Sequence, residues 1–220
     1  MRNYSYRTGA SRILFGRGTF ERVPQVVDDC GAGRALVLST EFQRPMAETA
    51  VGYLGGAAAG VFSSAVMHTP TDVTETALAY CESIGADSIV SVGGGSATGL
   101  GKALAHRTGF PHIVVPTTYA GSEVTDILGQ TEDGLKTTIR AGSILPTAVI
   151  YDPTLTDGLP LKMSIVSGLN AMAHAAEALY AQDRNPVSSM LAVEGFGAMK
   201  TGLSLIIEDE RSIEGRDAAL

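Results

Sequence analysis

The sequence has few cysteines, no long apolar run and a deficit of positive charge. Its two thiols, Cys30 and Cys81, lie in no C-x-x-C or metal-like spacing, so they predict a reducing, cytoplasmic compartment. No window reaches the roughly 18 unbroken apolar residues of a membrane span. The first residues are polar and lead into no apolar segment. We therefore expect neither a membrane partner nor a secretory signal.

The charge balance is acidic, with 16 Lys and Arg against 23 Asp and Glu and a net charge of −7. Such a chain offers no surface that neutralises phosphates, which argues against nucleic acid or an anionic membrane as a partner. An anionic substrate would have to be attracted by a local pocket. The 220 residues are enough for one large or two smaller domains.

The most informative stretch is a glycine-rich turn. A β-branched run over residues 88–92 is followed by three glycines and Ser96, and then by an Ala- and Leu-rich segment over 97–108 that carries Lys102. The pattern predicts a strand, a tight turn and a helix whose N-terminal N–H groups can bind a phosphate. It is not the G-x-G-x-x-G fingerprint, so a tight connection without a ligand is the alternative.

Strands and helices alternate through the first 153 residues. Runs of β-branched and apolar residues predict strands over residues 35–39, 60–66, 88–92, 112–115 and 148–151. Helical spacing predicts helices over residues 21–30, 43–54, 71–84 and 97–108. This alternation predicts an α/β fold with a doubly wound, mostly parallel sheet over residues 1–153.

Two local signals refine this α/β region. Asp72, with Glu75 three residues later, predicts a capping pair for the helix over residues 71–84. The dipeptide Asp133-Gly134 lies between two extended runs, and this combination predicts a β-hairpin.

No strand pattern remains after residue 154. Pro160 predicts a helix to about residue 181, and Asn185-Pro186 predicts the cap and first turn of another to about residue 207. Residues 211–220 resemble the start of a third helix. The predicted all-α domain, residues 154–220, is too small to bury both faces of its long helices. We therefore expect that a partner chain covers them or that this domain is incomplete.

The first predicted helix of this domain carries three polar residues on one face. Asn170, His174 and Glu177 lie at positions i, i+4 and i+7. Such a face borders either solvent or a cleft. For an isolated histidine in this setting, a structural hydrogen bond is the commoner role.

Several separated motifs occur together in order. They are the glycine turn with Lys102, a hydroxyl-rich stretch over residues 116–125, the pairs Asp152-Pro153 and Leu159-Pro160, and residues 168–177. In order and spacing they resemble the iron-containing alcohol dehydrogenase family over essentially the whole chain. The resemblance implies an N-terminal dinucleotide-binding domain, a C-terminal helical domain and a hydride-transfer site between them.

Three positions depart from that family's pattern. Asn170 stands where the metal-binding helix normally carries an aspartate, Gly99 replaces an aspartate after the glycine turn, and the hydroxyl-rich loop is one residue shorter, with Tyr119 in it. A neutral amide is a poor ligand for a divalent cation. These departures, together with residues 68–72, resemble the maleylacetate reductase branch of the family, which works without a metal.

The reaction implied by this resemblance is reduction of the carbon–carbon double bond of maleylacetate by NADH or NADPH. The product is 3-oxoadipate, an intermediate in the degradation of aromatic compounds. Hydride addition to an alkene conjugated to a ketone produces an enolate, which needs stabilisation of an oxyanion and a proton donor but not a Lewis acid. The substrate is a small dicarboxylate, so cationic groups are expected in the cleft. A homodimer is also implied.

The resemblance assigns roles to individual residues. The catalytic candidates are His174, Asn170, Lys136 and Tyr119, with Arg140 as a second cation and no metal ligand. The cofactor-binding candidates are Ser39, Thr40, Gly94, Gly95, Ser96, Thr117, Thr118, Tyr119, Ser122 and Lys136. Thr40 stands at the family's aspartate position and Glu41 follows it, so the choice between NADH and NADPH stays open.

Other functions remain possible at this stage. A metal-dependent alcohol dehydrogenase acting on a small alcohol or aldehyde is the first alternative, and an enzyme of the glycerol dehydrogenase or dehydroquinate synthase type is a weaker one. The family is longer than this chain, and its further helices carry histidines that line the cleft. A third hypothesis is therefore a truncated fragment that binds a nucleotide without turnover.

Overall fold

The computed structural model of the protein describes Tyr4, Tyr6 and residues 9–220. These residues form two compact units. The first consists of Ala10–Thr117 and Gly121–Asp152. The second consists of Thr118–Ala120, Pro153–Leu220 and the described N-terminal residues.

A six-stranded parallel sheet forms the centre of the first unit. Its strands are β1 Arg12–Phe15, β2 Ala35–Leu38, β3 Ala58–Phe62, β4 Ser88–Gly93, β5 His112–Pro116 and β8 Ala148–Tyr151. They lie in the order β1-β8-β5-β4-β2-β3, and every pair is parallel. The α/β class and the doubly wound sheet are therefore confirmed.

One edge of this sheet is formed by the first strand, β1. The last strand, β8, lies one position inward, between β5 and β1. The first strand pairs with it from Arg12 opposite Ala148 to Phe15 opposite Tyr151. Only Leu14 of β1 is buried, as is typical of an edge strand. The strand therefore has only a short apolar pattern in the sequence. The strand expected over 60–66 begins earlier and ends at Phe62.

Four helices connect these strands: α1 Val23–Asp29, α2 Arg44–Leu54, α3 Thr71–Ser83 and α4 Gly95–Thr108. A hydrophobic core cluster, to which Leu36, Ile89 and Leu104 belong, packs the helices against the sheet. The predicted capping pair of Asp72 and Glu75 is wrong, because the N-cap residue of α3 is Pro70 and no side chain caps the helix. Asp72 lies inside the first turn, where its charge favours the helix dipole instead.

The predicted hairpin is confirmed. Strands β6 Ile127–Glu132 and β7 Leu135–Arg140 pair in an antiparallel register and form a separate two-stranded sheet. Asp133 and Gly134 form the turn with φ of 49° and 77°. Two positive φ values in a two-residue loop are the signature of the type I′ turn that Asp-Gly favours.

The second unit is helical, as predicted. Its helices are α5 Leu161–Tyr180, α6 Pro186–Glu208 and α7 Ile213–Ala219. Asn185 and Ser188 form a capping box at the start of α6. Gly168 of α5 allows close packing, since a Cβ there would meet a Leu203 methyl at 2.8 Å and the Met199 sulfur at 2.9 Å.

The long helices also expose large apolar side chains, as the small size of the predicted domain led us to expect. Those on α5 and α6 that are at least 49% exposed are Met163, Val166, Leu169, Tyr180, Met190, Leu191, Val193 and Ile207. By length and composition alone, α6 is the one described helix that could cross a membrane. A single helix of this kind is weak evidence, because the core helix of a soluble protein passes the same test.

Candidate functional site

The glycine turn between β4 and α4 forms an open cradle. Helix α4 begins at Gly95, and no side chain caps it, so its first N–H groups have no partner within the helix. Position 93 requires glycine because its φ is 149° and because a Cβ there would lie 2.5 Å from Gln43 Oε1. A Cβ at Gly95, in contrast, would meet nothing within 4 Å. Unpaired donors beside open space at the N-terminus of a 14-residue helix fit a phosphate group.

Gln43 joins this turn to two neighbouring strand ends. Its Nε2 donates to Thr117 Oγ1, just after β5, while its Oε1 accepts from Thr40 Oγ1 at 3.3 Å, after β2. Ser39 is buried, with its Oγ 3.2 Å from that of Ser63. The structure therefore brings Ser39, Thr40 and Thr117 to the same sheet edge as the glycine turn, where ligands of parallel α/β sheets bind.

Lys102 is the buried cation of this unit. Its side chain is fully buried, and Nζ donates to Thr125 Oγ1 at 2.8 Å and to the Ile127 carbonyl at 2.9 Å. Burial lowers the pKa of Lys102 to about 8, and the nearby carboxylates of Glu123 and Asp126 oppose this shift. Lys102 therefore anchors the segment that follows Ser122 to α4.

The departure at Gly99 has a structural counterpart. Thr69 is buried, and its Oγ1 occupies the place that a Cβ at position 99 would take. His68 and Thr69 both have positive φ, 67° and 45°, a conformation that is uncommon for residues other than glycine. The Thr69 carbonyl also accepts from Thr131 N at 3.4 Å. Any larger residue at position 99 would force the Thr69 side chain to move.

The two cationic candidates lie on β7. Lys136 is exposed and lies opposite Thr131 in the hairpin register. Among the described residues it forms no ion pair within 4.0 Å, whereas Arg140 approaches Asp126 at 3.7 Å. Lys136 is therefore the cation of this hairpin that is available to an anionic ligand.

The polar trio on α5 lies on one face, as its spacing predicts. Asn170 Nδ2 lies 3.2 Å from His174 Nε2, and His174 Nδ1 lies 3.6 Å from a carboxylate oxygen of Glu177. An imidazole that accepts from the Asn170 amide at Nε2 carries a proton at Nδ1, the nitrogen that faces Glu177. In the part of the chain that is described, no three His, Cys, Asp or Glu side chains cluster as a metal site. A neutral amide at position 170 is a poor ligand for a divalent cation, and we derive no step through a metal.

Tyr119 belongs to the helical unit. Its side chain is 4% exposed and packs in a cluster with Met199, Leu203 and Ile206. Its hydroxyl oxygen accepts from Nη1 of Arg216 at 3.3 Å. Thr118 and Tyr119 belong to the helical unit, whereas Thr117 and Ser122 belong to the sheet unit. The predicted contribution of these four residues to one nicotinamide site stays a prediction.

Sequence reasoning missed two residues of these networks, Gln43 and Arg216. Their partners are far away along the chain, at separations of 74 residues for Gln43 and Thr117 and 97 for Arg216 and Tyr119. Neither stands in a local motif. The only available signal was the polar character of Gln43, which lies shortly after the end of β2 at Leu38.

Comparison with known proteins identifies close relatives. The family model described as iron-containing alcohol dehydrogenase matches residues 10–153. A maleylacetate reductase from Rhizobium sp. is 56% identical over 220 residues, covering 100% of this chain and 63% of its own length. One from Burkholderia cepacia is 46% identical, covering 100% and 62%.

Solved structures give the same result. The crystal structure of maleylacetate reductase from Agrobacterium tumefaciens matches with a TM-score of 0.97 at 55% identity, covering 100% of this chain and 63% of its own. An iron-containing alcohol dehydrogenase from Corynebacterium glutamicum matches with a TM-score of 0.95 at 38% identity, covering 100% and 62%. The chain thus spans a little over three fifths of the length of these relatives.

Proposed function

Because the chain belongs to the iron-containing alcohol dehydrogenase family, we propose that it carries the cofactor-binding part of a maleylacetate reductase. The proposed reaction is the NADH- or NADPH-dependent reduction of the double bond of maleylacetate to 3-oxoadipate. The observation that carries the proposal is 56% identity to a maleylacetate reductase across all 220 residues. Asn170, in the place of the family's metal-binding aspartate, supports the same branch.

The cofactor, when bound, supplies a hydride to the alkene carbon β to the ketone. The N-terminus of α4 with Gly94, Gly95 and Ser96 holds the pyrophosphate through backbone N–H groups. Ser39 and Thr40 contact the adenosine ribose, and the hydroxyl-rich loop contacts the nicotinamide half. These residues fix the cofactor so that little entropy remains to be lost when the reaction occurs.

The substrate side of the proposal depends on charge. Lys136 attracts a carboxylate of the dianionic substrate and offsets the overall acidity of the protein. Hydride addition leaves an enolate, whose α carbon must receive a proton. We assign the handling of this proton to the face of α5 that carries Asn170 and His174. The Glu177 carboxylate lies 3.6 Å from Nδ1 of that imidazole.

The direct test is a spectrophotometric assay of the purified chain with maleylacetate and NADH, and then NADPH, with and without a chelator. We expect oxidation of the cofactor that the chelator does not reduce. Loss of activity on chelation that iron or zinc restores would overturn the metal-free branch in favour of a metal-dependent alcohol dehydrogenase.

A second candidate function is binding of a nicotinamide nucleotide without turnover, which the large apolar side chains exposed on α5 and α6 support. A protein of this kind would bind NADH without consuming it. Cofactor binding without turnover in the same assay therefore supports this function. A cytoplasmic location and a homodimer are part of the main proposal, and light scattering tests the dimer.

A further inference from the structure

Arg216 is a buried cation at the centre of the helical unit. The residue is 1% exposed, although arginine is rarely buried without an acidic partner. Nη1 donates to Ser164 Oγ at 2.7 Å and to the Tyr119 hydroxyl at 3.3 Å, and Nη2 donates to the carbonyls of Glu210 at 2.9 Å and Leu159 at 3.1 Å. These contacts join α7 and the turn before it to the start of α5 and to Tyr119.

All four acceptors are neutral. A guanidinium has five N–H donors, and Arg216 uses four of them while Nε stays buried without a partner. No ion pair with Arg216 is found among the described residues. A buried charge held only by neutral oxygens is costly, and an apolar residue of similar size would often be as stable. This cost indicates that Arg216 positions its hydrogen-bond partners, because the planar guanidinium fixes the direction of each bond.

The unit is built so that this guanidinium can reach its partners. At Gly202 of α6, a Cβ would lie 2.8 Å from both the Gly215 carbonyl and the backbone nitrogen of Ala219. Helices α6 and α7 therefore touch backbone to backbone beside Arg216. The Ser212 hydroxyl accepts from Gly215 N at 3.0 Å and fixes the first turn of α7. The side chain of Arg216 thus starts from a rigid position.

We propose that Arg216 is a positioning residue that holds Tyr119, and with it the hydroxyl-rich loop, in the conformation that binds the cofactor. The inference rests on the proposed function for the role of that loop. It assigns Tyr119 a role different from the catalytic one predicted for it, since the ring is packed and the hydroxyl serves as an acceptor for Arg216. The segment Thr118–Ala120 groups with the helical unit, as this anchoring requires.

Tyr119→Phe is the sharpest variant, because it removes only the hydroxyl and leaves the packed ring. Its matched control is Ser164→Ala, which removes the other acceptor of Nη1 without touching the loop. Arg216→Lys keeps the charge but loses the fork, and Arg216→Gln removes both. Each purified chain is examined by amide hydrogen exchange and by NADH fluorescence titration.

Losing one bond to a charged donor changes a local equilibrium by about fivefold or more. We therefore expect Tyr119→Phe to accelerate exchange at residues 118–125 about fivefold and to weaken NADH binding by a similar factor. Ser164→Ala should accelerate exchange at the start of α5 and leave NADH binding unchanged. For Arg216→Lys, the exchange rate and the NADH affinity should lie between those of wild type and those of Arg216→Gln. Adding Tyr119→Phe to Arg216→Gln should change both quantities little, because both substitutions remove the same interaction.

Unchanged exchange at residues 118–125 in Tyr119→Phe would overturn the inference. So would a lower kcat with wild-type NADH affinity, since that pattern belongs to a catalytic hydroxyl. The exchange measurement does not depend on turnover. If the wild-type chain bound no nicotinamide nucleotide, the proposed function would fail, while exchange would still decide whether Arg216 holds the loop.

Discussion

At the scale of single residues, a substitution at Gly95 can change the affinity of the candidate phosphate site without reducing the stability of the fold. A Cβ at Gly95 meets nothing within 4 Å, so Gly95→Ala should fold normally and gain up to about 1 kcal/mol in the free energy of unfolding. The same methyl group would occupy the space beside the helix N-terminus. We expect NADH affinity to fall at least about tenfold, equivalent to about 1.4 kcal/mol.

A fluorescence titration with NADH and urea unfolding of the same variant check this prediction. Gly52→Ala is the matched control, because Gly52 lies in α2 and its Cβ also meets nothing within 4 Å. It should gain comparable stability and keep wild-type affinity. Equal NADH affinity in both variants would remove the glycine turn from the binding site.

In the core below the glycine turn, the buried imidazole of His112 must be uncharged. Ser91 Oγ donates to the Ala97 carbonyl at 3.1 Å, so it accepts from His112 Nε2 at 2.8 Å, and Nδ1 is left buried without a partner. Burial, aided by the charge of Lys102, lowers the pKa of His112 to about 3. A side chain at Gly101 would collide with this pair.

The sign of the resulting pH dependence follows from proton binding. Between the ordinary histidine pKa of 6.5 and about 3, the unfolded chain binds a proton that the folded chain does not. His112 should therefore reduce the free energy of unfolding by about 1.4 kcal/mol for each pH unit below about 6. Urea unfolding at about pH 7, 6 and 5 measures this slope.

His112→Leu should flatten that slope, even though its stability at pH 7 can differ from wild type. His106→Gln serves as the control, because His106 lies near the end of α4 and bonds Ser143 Oγ at 2.8 Å. It should retain the wild-type slope. A wild-type slope in His112→Leu would show that other groups cause the acid sensitivity.

At the scale of elements, the contact between α5 and α6 depends on Gly168. A Cβ there would lie 2.8 Å from Leu203 methyl carbons, so Gly168→Ala overpacks the contact and should cost about 1–3 kcal/mol. Gly197→Ala in α6 is the control, since nothing lies within 4 Å of its Cβ, and it should gain up to about 1 kcal/mol. Thermal unfolding compares the two. Equal melting temperatures would contradict the close helix contact.

Much of the fold at this scale could be predicted from the sequence. The buried strands have mostly apolar runs, the hairpin has Asp133-Gly134, and α6 has Asn185-Pro186, so each carries its own local signal. The first strand has no comparable signal, because its place beside β8 depends on a partner more than 130 residues away, from Arg12 to Ala148. The Asp72 capping pair failed because Pro70 takes the N-cap position.

The candidate site could be predicted only in part. Glycine turns and polar strand ends are local patterns, so Gly95, Thr40 and Thr117 could be singled out from the sequence. Gln43 and Arg216 act through side chains that meet distant segments, and no spacing in the sequence encodes those contacts. The predicted role of Tyr119 came from its place in the loop, whereas its packing comes from the helical unit.

At the scale of the whole molecule, the exposed apolar side chains of α5 and α6 should govern solution behaviour. Patches of this kind are uncommon on monomeric soluble proteins. We expect the chain to bind a hydrophobic dye and to self-associate as its concentration rises in sedimentation. Val166→Lys combined with Leu191→Lys should reduce both effects. Phe42→Lys, at a residue 86% exposed in the sheet unit, should leave them unchanged; a monomer without dye binding would contradict the prediction.

Product analysis tests most directly whether the proposed enzyme reduces the carbon–carbon double bond. NMR of the product formed from maleylacetate and NADH distinguishes reduction of the double bond from reduction of the ketone. We expect 3-oxoadipate, with the hydride on the carbon β to the ketone. A 4-hydroxy acid that keeps its double bond would contradict it and identify alcohol dehydrogenase chemistry.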